Sequence, residues 1–168
     1  MAKLKFIYKL ANRTNYGRAR KLSDMKYIVI HYTGNKKDTA KGNATYFATN
    51  KHLGASAHVF VDKTGAYKSV PLRNVAWSVG KLYDKKYAKY WCKATNSNTL
   101  NIEIACDAGN YKASKETIDM AVALTKYYMK KYKIPKSHVI RHKDVCGKDC
   151  PGFWFDDAKW KKEFLARI

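Results

Sequence analysis

The sequence predicts an α/β domain in which a central mixed β-sheet is flanked by helices, and three observations carry that expectation. Tyr27-Ile28-Val29-Ile30 is a continuous, β-branched apolar run, the pattern of a strand covered on both faces. Ser114 to Tyr132 repeats Ile118, Ala121, Val122, Thr125 and Tyr128 at helical spacing, with Ser114 and Thr117 as start signals and Ile134-Pro135 as the stop. Ser56 to Asp62 and Leu100 to Ala105 alternate as strands do. No repeat, low-complexity tract or linker divides the 168 residues, so a single domain is expected over 1–168.

In chain order, residues 1–25 read as a basic arm packed on that domain, with seven Lys or Arg before the first acid, Asp24, and a short strand at Phe6 to Tyr8. The central strand, Lys26 to Tyr32, ends at Thr33-Gly34-Asn35. Asp38 or Thr39 can then cap a helix running to Thr49, whose apolar face is Ala40, Ala44, Phe47 and Ala48. Asp62-Lys63-Thr64-Gly65 is a hairpin turn into Ala66 to Val70. A loop region follows, and Lys81 to Lys93 interleaves Tyr83, Tyr87, Tyr90 and Trp91 with five lysines. Val139-Ile140 is a short strand, and Asp156 to Arg167 closes the chain as an amphipathic helix.

Charge narrows the partners. With 34 Lys plus Arg against 13 Asp plus Glu, the net charge of +21 attracts polyanions or serves as a solvated surface, and it says nothing about the fold. No nucleic-acid motif accompanies it, so nucleic acid is not the expected partner; the aromatic-lysine stretch is the one feature that argues otherwise. No run approaches a membrane span, and Lys5 and Lys9 interrupt any apolar leader, so a chain made in a cytoplasm without a signal peptide is expected. Cys92, Cys106, Cys146 and Cys150 are too few for a disulfide framework, which favours metal or core roles.

The chemistry centres on Arg141-His142-Lys143-Asp144-Val145-Cys146-Gly147-Lys148-Asp149-Cys150-Pro151-Gly152. His142 and Cys150 form a two-ligand half site, and a catalytic zinc takes three protein ligands and an open position. His31, at the end of the central strand, is the candidate third ligand, so His31, His142 and Cys150 are expected to hold Zn2+. A rival pattern exists: His138, His142, Cys146 and Cys150 recur every four residues and would stack on a helix as a closed structural site. Gly147, Asp149 and Pro151 weigh against such a helix. Glu103, in an otherwise apolar strand, is either a general base beside the metal or a surface residue of an alternating strand. Lys148 is either a solvated lysine or, two residues from the thiolate, a stabiliser of an oxyanion.

Five blocks then carry a resemblance: Tyr27-Ile28-Val29-Ile30-His31-Tyr32-Thr33-Gly34, Ser56 to Asp62, Val75 to Gly80, Asn98 to Glu103, and the His142 to Cys150 loop. In this order they resemble the zinc-dependent N-acetylmuramoyl-L-alanine amidases of the type-2 class, which include phage endolysins and bacterial autolysins and share their fold with peptidoglycan-recognition proteins. The resemblance covers roughly residues 13 to 160. It implies an amidase-like fold, peptidoglycan as substrate and hydrolysis of the bond between N-acetylmuramic acid and L-alanine. It further implies action at the bacterial cell wall and, with the charge, attraction to anionic wall polymers, by a chain expected to be monomeric and not inserted in a membrane.

Under that resemblance His31, His142 and Cys150 match the zinc ligands, Glu103 the catalytic glutamate and Lys148 the lysine that stabilises the transition state. Trp77, His58 and Thr33 are the expected substrate contacts, with His58 supporting the site from behind or serving a structural role as its alternatives. Two positions depart from the pattern. Ala57 stands where some members carry Tyr before the His of the second strand, which shifts weight to Glu103, and Trp77-Ser78 replaces a common Trp-His. A non-catalytic peptidoglycan-binding module of the same fold is the alternative that the retained ligand set argues against.

Overall fold

The computed structural model describes residues 4–168, and their strand patterns assemble into a six-stranded mixed sheet plus a small two-stranded one. The elements are β1 (Phe6–Tyr8), β2 (Tyr16–Ala19), β3 (Tyr27–Tyr32), α1 (Ala40–Thr49), β4 (Val59–Asp62), β5 (Gly65–Lys68) and β6 (Asn74–Ala76), then β7 (Thr99–Ile104), α2 (Lys115–Tyr132), β8 (Val139–Arg141), α3 (His142–Cys146) and α4 (Asp157–Glu163). Strand order in the main sheet is β1-β5-β4-β7-β3-β8. Within this sheet β4 and β5, joined by the Asp62–Gly65 turn, run antiparallel and the other pairs are parallel, while β2 and β6 of the small sheet are antiparallel.

Alternation decides what each face carries. Ile28 and Ile30 of β3, Leu100, Ile102 and Ile104 of β7, and Val59 and Val61 of β4 point to one face and meet Met120, Ala121, Leu124 and Tyr128 of α2. Trp154, Trp160 and Phe164 extend the same core, their rings 4.8–5.4 Å apart. α2 starts as its sequence predicts, with the Ser114 hydroxyl accepting from the Thr117 amide. On the opposite face α1, capped by Thr39 rather than Asp38, lays Ala40 and Ala44 near Phe60 and Tyr67. Asp38 instead accepts from the Cys106 amide at 2.7 Å.

Several expectations need correction. The strand expected from Ser56 begins at Val59, because Ser56 exchanges hydrogen bonds with Trp77. The predicted closing helix stops at Glu163 and tightens into a 3₁₀ turn at Leu165–Arg167. Residues 1–25 do more than cover a surface. β1 pairs with β5, β2 with β6, and Arg20 is buried, donating to the carbonyls of Leu72, Ser97 and Thr99 at 2.7–3.0 Å. Residues 1–3 of that arm lie outside the described chain. No helix of the described residues is long and apolar enough to cross a membrane.

Leu124 is fully buried between α2 and the sheet, whereas Lys126 is exposed on the same helix. Leu124→Ala is expected to cost about 2–5 kcal/mol in urea denaturation and Lys126→Ala less than about 0.5. Equal effects would contradict the packing of α2 described above.

Candidate metal centre

Parallel register builds the centre. His31 on β3 pairs with Glu103 on β7, and Ile30 pairs with Arg141 on β8, so His142 follows immediately beside His31. Paired residues of neighbouring strands project to the same face. Glu103, His31 and His142 therefore stand in a row at the carboxyl ends of three adjacent parallel strands, the usual ligand position of such sheets.

Cys150 arrives by a tight loop. α3 is one short helix that ends at Gly147, whose φ of +73° is left-handed, so the four-residue ladder does not continue. The Lys143 amide then donates to the Cys150 carbonyl at 2.9 Å, folding the chain back on His142. A Cβ on Gly147 would overlap the Asp84 backbone, so the lysine-rich loop closes directly over this turn. Beneath it, Arg141 is bonded to Asp144 at 2.7 Å and to Asp157 at 2.6 Å, and donates to the Trp154 and Phe155 carbonyls. That buried cation fixes both ends of the segment carrying Lys148 and Cys150.

The donor atoms of His31, His142 and Cys150 all lie within 4.8 Å of one another, and all three residues are buried. Nδ1 of His31 is 3.1 Å from Nδ1 of His142 and 3.9 Å from the Cys150 sulfur. A tetrahedral ion with bonds of about 2.0–2.1 Å to nitrogen and 2.3 Å to sulfur would need edges of about 3.3 and 3.6 Å. The residues fit a metal ion of that kind. The rival quartet is not assembled: Cys146 donates to the Val79 carbonyl at 3.5 Å, and His138 stacks on Tyr27 away from the site.

The electrostatics of the two histidines suit metal binding. Burial lowers His31 to about 4, with Lys148 adding to the effect against a hydrogen bond to the Asn101 carbonyl oxygen, and lowers His142 to about 2 with help from His31 and Lys148. Both imidazoles are thus neutral at neutral pH, the form that ligates. Burial and the neighbouring Glu103 push the Cys150 thiol well up. Glu103 Oε1 lies 3.8 Å from His31 Nδ1, and Oε2 is enclosed without a hydrogen-bond partner among the described residues. Although 20% of the Glu103 side chain reaches the surface, the carboxyl itself is sheltered, and desolvation lifts it to about 8 against the pull of Lys148.

A cleft of about 190 Å³ opens over this row, lined by Thr33, Trp77, Glu103, His142, Lys148 and Cys150 among others. It runs on past Trp77, Ser78 and Lys148 into a second hollow of about 430 Å³ bordered by Lys81 and Tyr83. Lys148 is exposed at the junction, its ammonium 5.5 Å from the Tyr83 ring. Thr33 Oγ1 is a buried oxygen without a hydrogen-bond partner among the described residues. Ser78, the departure from Trp-His, turns its hydroxyl to the Ser56 carbonyl.

Of the three expected substrate contacts, Trp77 and Thr33 line the cleft and His58 does not. It is 0% exposed and lines neither hollow. Its Nδ1 accepts from the Asn101 amide at 3.1 Å, and its Nε2 lies 3.1 Å from the Asn74 carbonyl and 2.9 Å from Arg20 Nη2. Burial beside Arg20 lowers it to about 3. It sits behind the cleft, not in it. Sequence reasoning also missed Asn101, whose Oδ1 lies 3.0 Å from His31 Nε2. The polar file Thr99, Asn101, Glu103 in an otherwise apolar strand was the available signal.

Two imidazoles at the carboxyl ends of parallel strands and a cysteine sulfur brought in by a loop form a candidate metal-ion site, with a carboxylate and a lysine lining the same cleft. The chain belongs to the N-acetylmuramoyl-L-alanine amidase family, whose model matches residues 21–153. It is similar to N-acetylmuramoyl-L-alanine amidase CwlL of Bacillus licheniformis, 29% identical over 154 residues that cover 88% of this chain and 42% of the relative. N-acetylmuramoyl-L-alanine amidase BlyA of Bacillus subtilis is 28% identical over 155 residues, with the same shares covered. The chain thus spans about two fifths of the length of these curated relatives. The solved catalytic domain of XlyA superimposes with a TM-score of 0.79 at 25% identity, covering 98% of this chain and 99% of that one. The fold of PlyL matches at 0.78, with 23% identity and coverage of 98% and 96%.

The two cysteines of the loop should separate in their effects. Cys146→Ser is expected to keep the metal content of the parent and Cys150→Ser to lose it, as read by elemental analysis of purified protein. Full metal content in Cys150→Ser would contradict the assigned centre.

Proposed function

We propose that this chain is a zinc-dependent hydrolase that cleaves the amide bond between N-acetylmuramic acid and L-alanine in bacterial peptidoglycan. The observation that carries the reading is the convergence of His31, His142 and Cys150 beside Glu103 and Lys148 at one open cleft. Family membership supports the same bond and substrate. A pure binding module would have no use for a sheltered carboxyl next to a metal-type donor set.

His31, His142 and Cys150 would hold the ion, leaving the cleft side for substrate and water. Zinc held there would supply Lewis-acid chemistry for the scissile carbonyl and for water, and would favour the ionised form of Glu103. Glu103 takes the proton from the attacking water and returns it to the departing L-alanine nitrogen. Lys148, at the mouth, holds the charge that develops on the carbonyl oxygen. Trp77 and Thr33 line the walls and orient the muropeptide. His58, being enclosed, acts on none of these atoms.

The surface cations suit the setting. Lys81, Lys85, Lys86, Lys89 and Lys93 are all exposed on the loop that borders the second hollow, where they can hold the enzyme on a wall rich in anionic polymers.

Removing one charge-stabilising donor typically costs about 100- to 1,000-fold in turnover. Lys148→Ala is expected to lose about that much, and Glu103→Ala about 100- to 10,000-fold as a general base, in the release of new amino termini from purified peptidoglycan while keeping zinc, whereas Cys150→Ala loses both. A Glu103→Ala enzyme working at the parent rate would remove the base from the scheme. Wall binding should weaken as salt is raised from low to about 1 M, where the screening length falls to about 3 Å. Salt-insensitive sedimentation with cell walls would return the lysines to a solvated surface.

A further inference from the structure

We infer that Asn101 is a positioning residue that dictates which nitrogen of His31 faces the metal, and that Thr99 in turn dictates the orientation of Asn101. The inference rests on the proposed reading of His31 as a metal ligand and adds a group that never touches substrate. Asn101 is 0% exposed and lines no part of the cleft. It lies on β7 two residues before Glu103, beside Val29 of β3, on the same face as His31.

One arrangement satisfies the Thr95 carbonyl together with both side chains. Thr99 Oγ1 lies 2.9 Å from the Thr95 carbonyl, an acceptor, so the single hydroxyl proton goes there. The Thr99 oxygen can then only accept from the Asn101 side chain, 3.1 Å away, which must present its NH₂. The Asn101 carbonyl oxygen consequently points the other way, to His31 Nε2 at 3.0 Å. A carbonyl oxygen cannot donate, so Nε2 carries the proton of the neutral imidazole, and the Nδ1 lone pair faces His142 and Cys150. Rotation of the amide is opposed from both ends. The Asn101 backbone N–H, bonded to His58 Nδ1, pins the strand at the same residue. His142, by contrast, has no hydrogen bond to its Nε2 among the described residues, so the burden of orienting a ligand falls on His31.

Partners of this kind typically contribute about 10- to 100-fold in metal affinity. Asn101→Leu removes the acceptor at similar bulk; Asn101→Asp keeps an acceptor for His31 and lets the Thr99 hydroxyl turn to donate. Thr99→Val removes only the anchor and serves if Asn101→Leu does not fold. Two readouts separate positioning from mere structure: the zinc dissociation constant, from competition with a chromophoric chelator, and the His31 tautomer in metal-free protein, from the nitrogen chemical shifts of its ring by NMR. The parent is expected to show His31 protonated at Nε2. Asn101→Leu should bind zinc about 10- to 100-fold more weakly and show mixed His31 tautomers, with Asn101→Asp back within a few fold of the parent. Thr99→Val should shift both readouts in the direction of Asn101→Leu. A folded Asn101→Leu, or Thr99→Val in its place, with parental affinity and tautomer overturns the inference, as does a parent protonated at Nδ1. A parent that binds no zinc yet shows the Nε2 proton would overturn the metal reading instead and leave the tautomer assignment standing.

Discussion

The register of three parallel strands is the constraint on which the site depends. β7 and β3 place Glu103 and His31 side by side on the face opposite α2, and His142 joins them as the residue that follows β8. A slip of a single residue in β3 would send His31 into the aliphatic core and bring Ile30 to the cleft. What prevents the slip is the opposite face. Ile28, Ile30, Leu100, Ile102 and Ile104 are wholly buried under α2, so any shift exposes or misplaces several fully packed side chains at about 1.5–3 kcal/mol each. The hydrophobic layer thus sets the positions of polar groups it never touches.

The fourth member of the site is held by other means. Cys150 comes from an irregular loop, and its approach is fixed by the backbone bond to Lys143, the left-handed turn at Gly147 and the Arg141 cluster below. Buried charge is costly unless fully paired. Arg141 meets that condition with two carboxylates and two carbonyls, and Asp157 is held down to about 2 by its bond from Arg141 together with Lys143. The result is a sharply divided electrostatic arrangement. Neutral imidazoles and a shielded carboxyl occupy the floor of the cleft, and free cations crowd the rim.

Sequence pattern carried the parts of this that are local. The apolar run of β3, the period of α2 and the helix-breaking trio Gly147, Asp149 and Pro151 foretold the strand that delivers His31, the layer behind it, and the choice of Cys150 over Cys146. What escaped was non-local. The burial of His58 depends on Arg20 and Asn74, respectively 38 and 16 residues away in sequence, and nothing in Ser56 to Asp62 reveals that its first residues bond to Trp77 instead of the sheet. The basic arm reads as packed on the domain, but its composition does not reveal that Arg20 threads inward to the carbonyls of Ser97 and Thr99. The β6 strand is only three residues long and owes its existence to pairing with β2. Asn101 was legible in principle, since a polar residue on a strand covered on both faces must have partners.

X-ray absorption at the zinc edge of the purified, metal-loaded protein tests the central claim most directly, because it counts ligands by element. The account predicts one sulfur at about 2.3 Å and two imidazole nitrogens at about 2.0–2.1 Å, with a further light atom completing the shell. Two sulfurs in the shell would contradict it, since that requires a second cysteine at an ion placed here between two histidines and one.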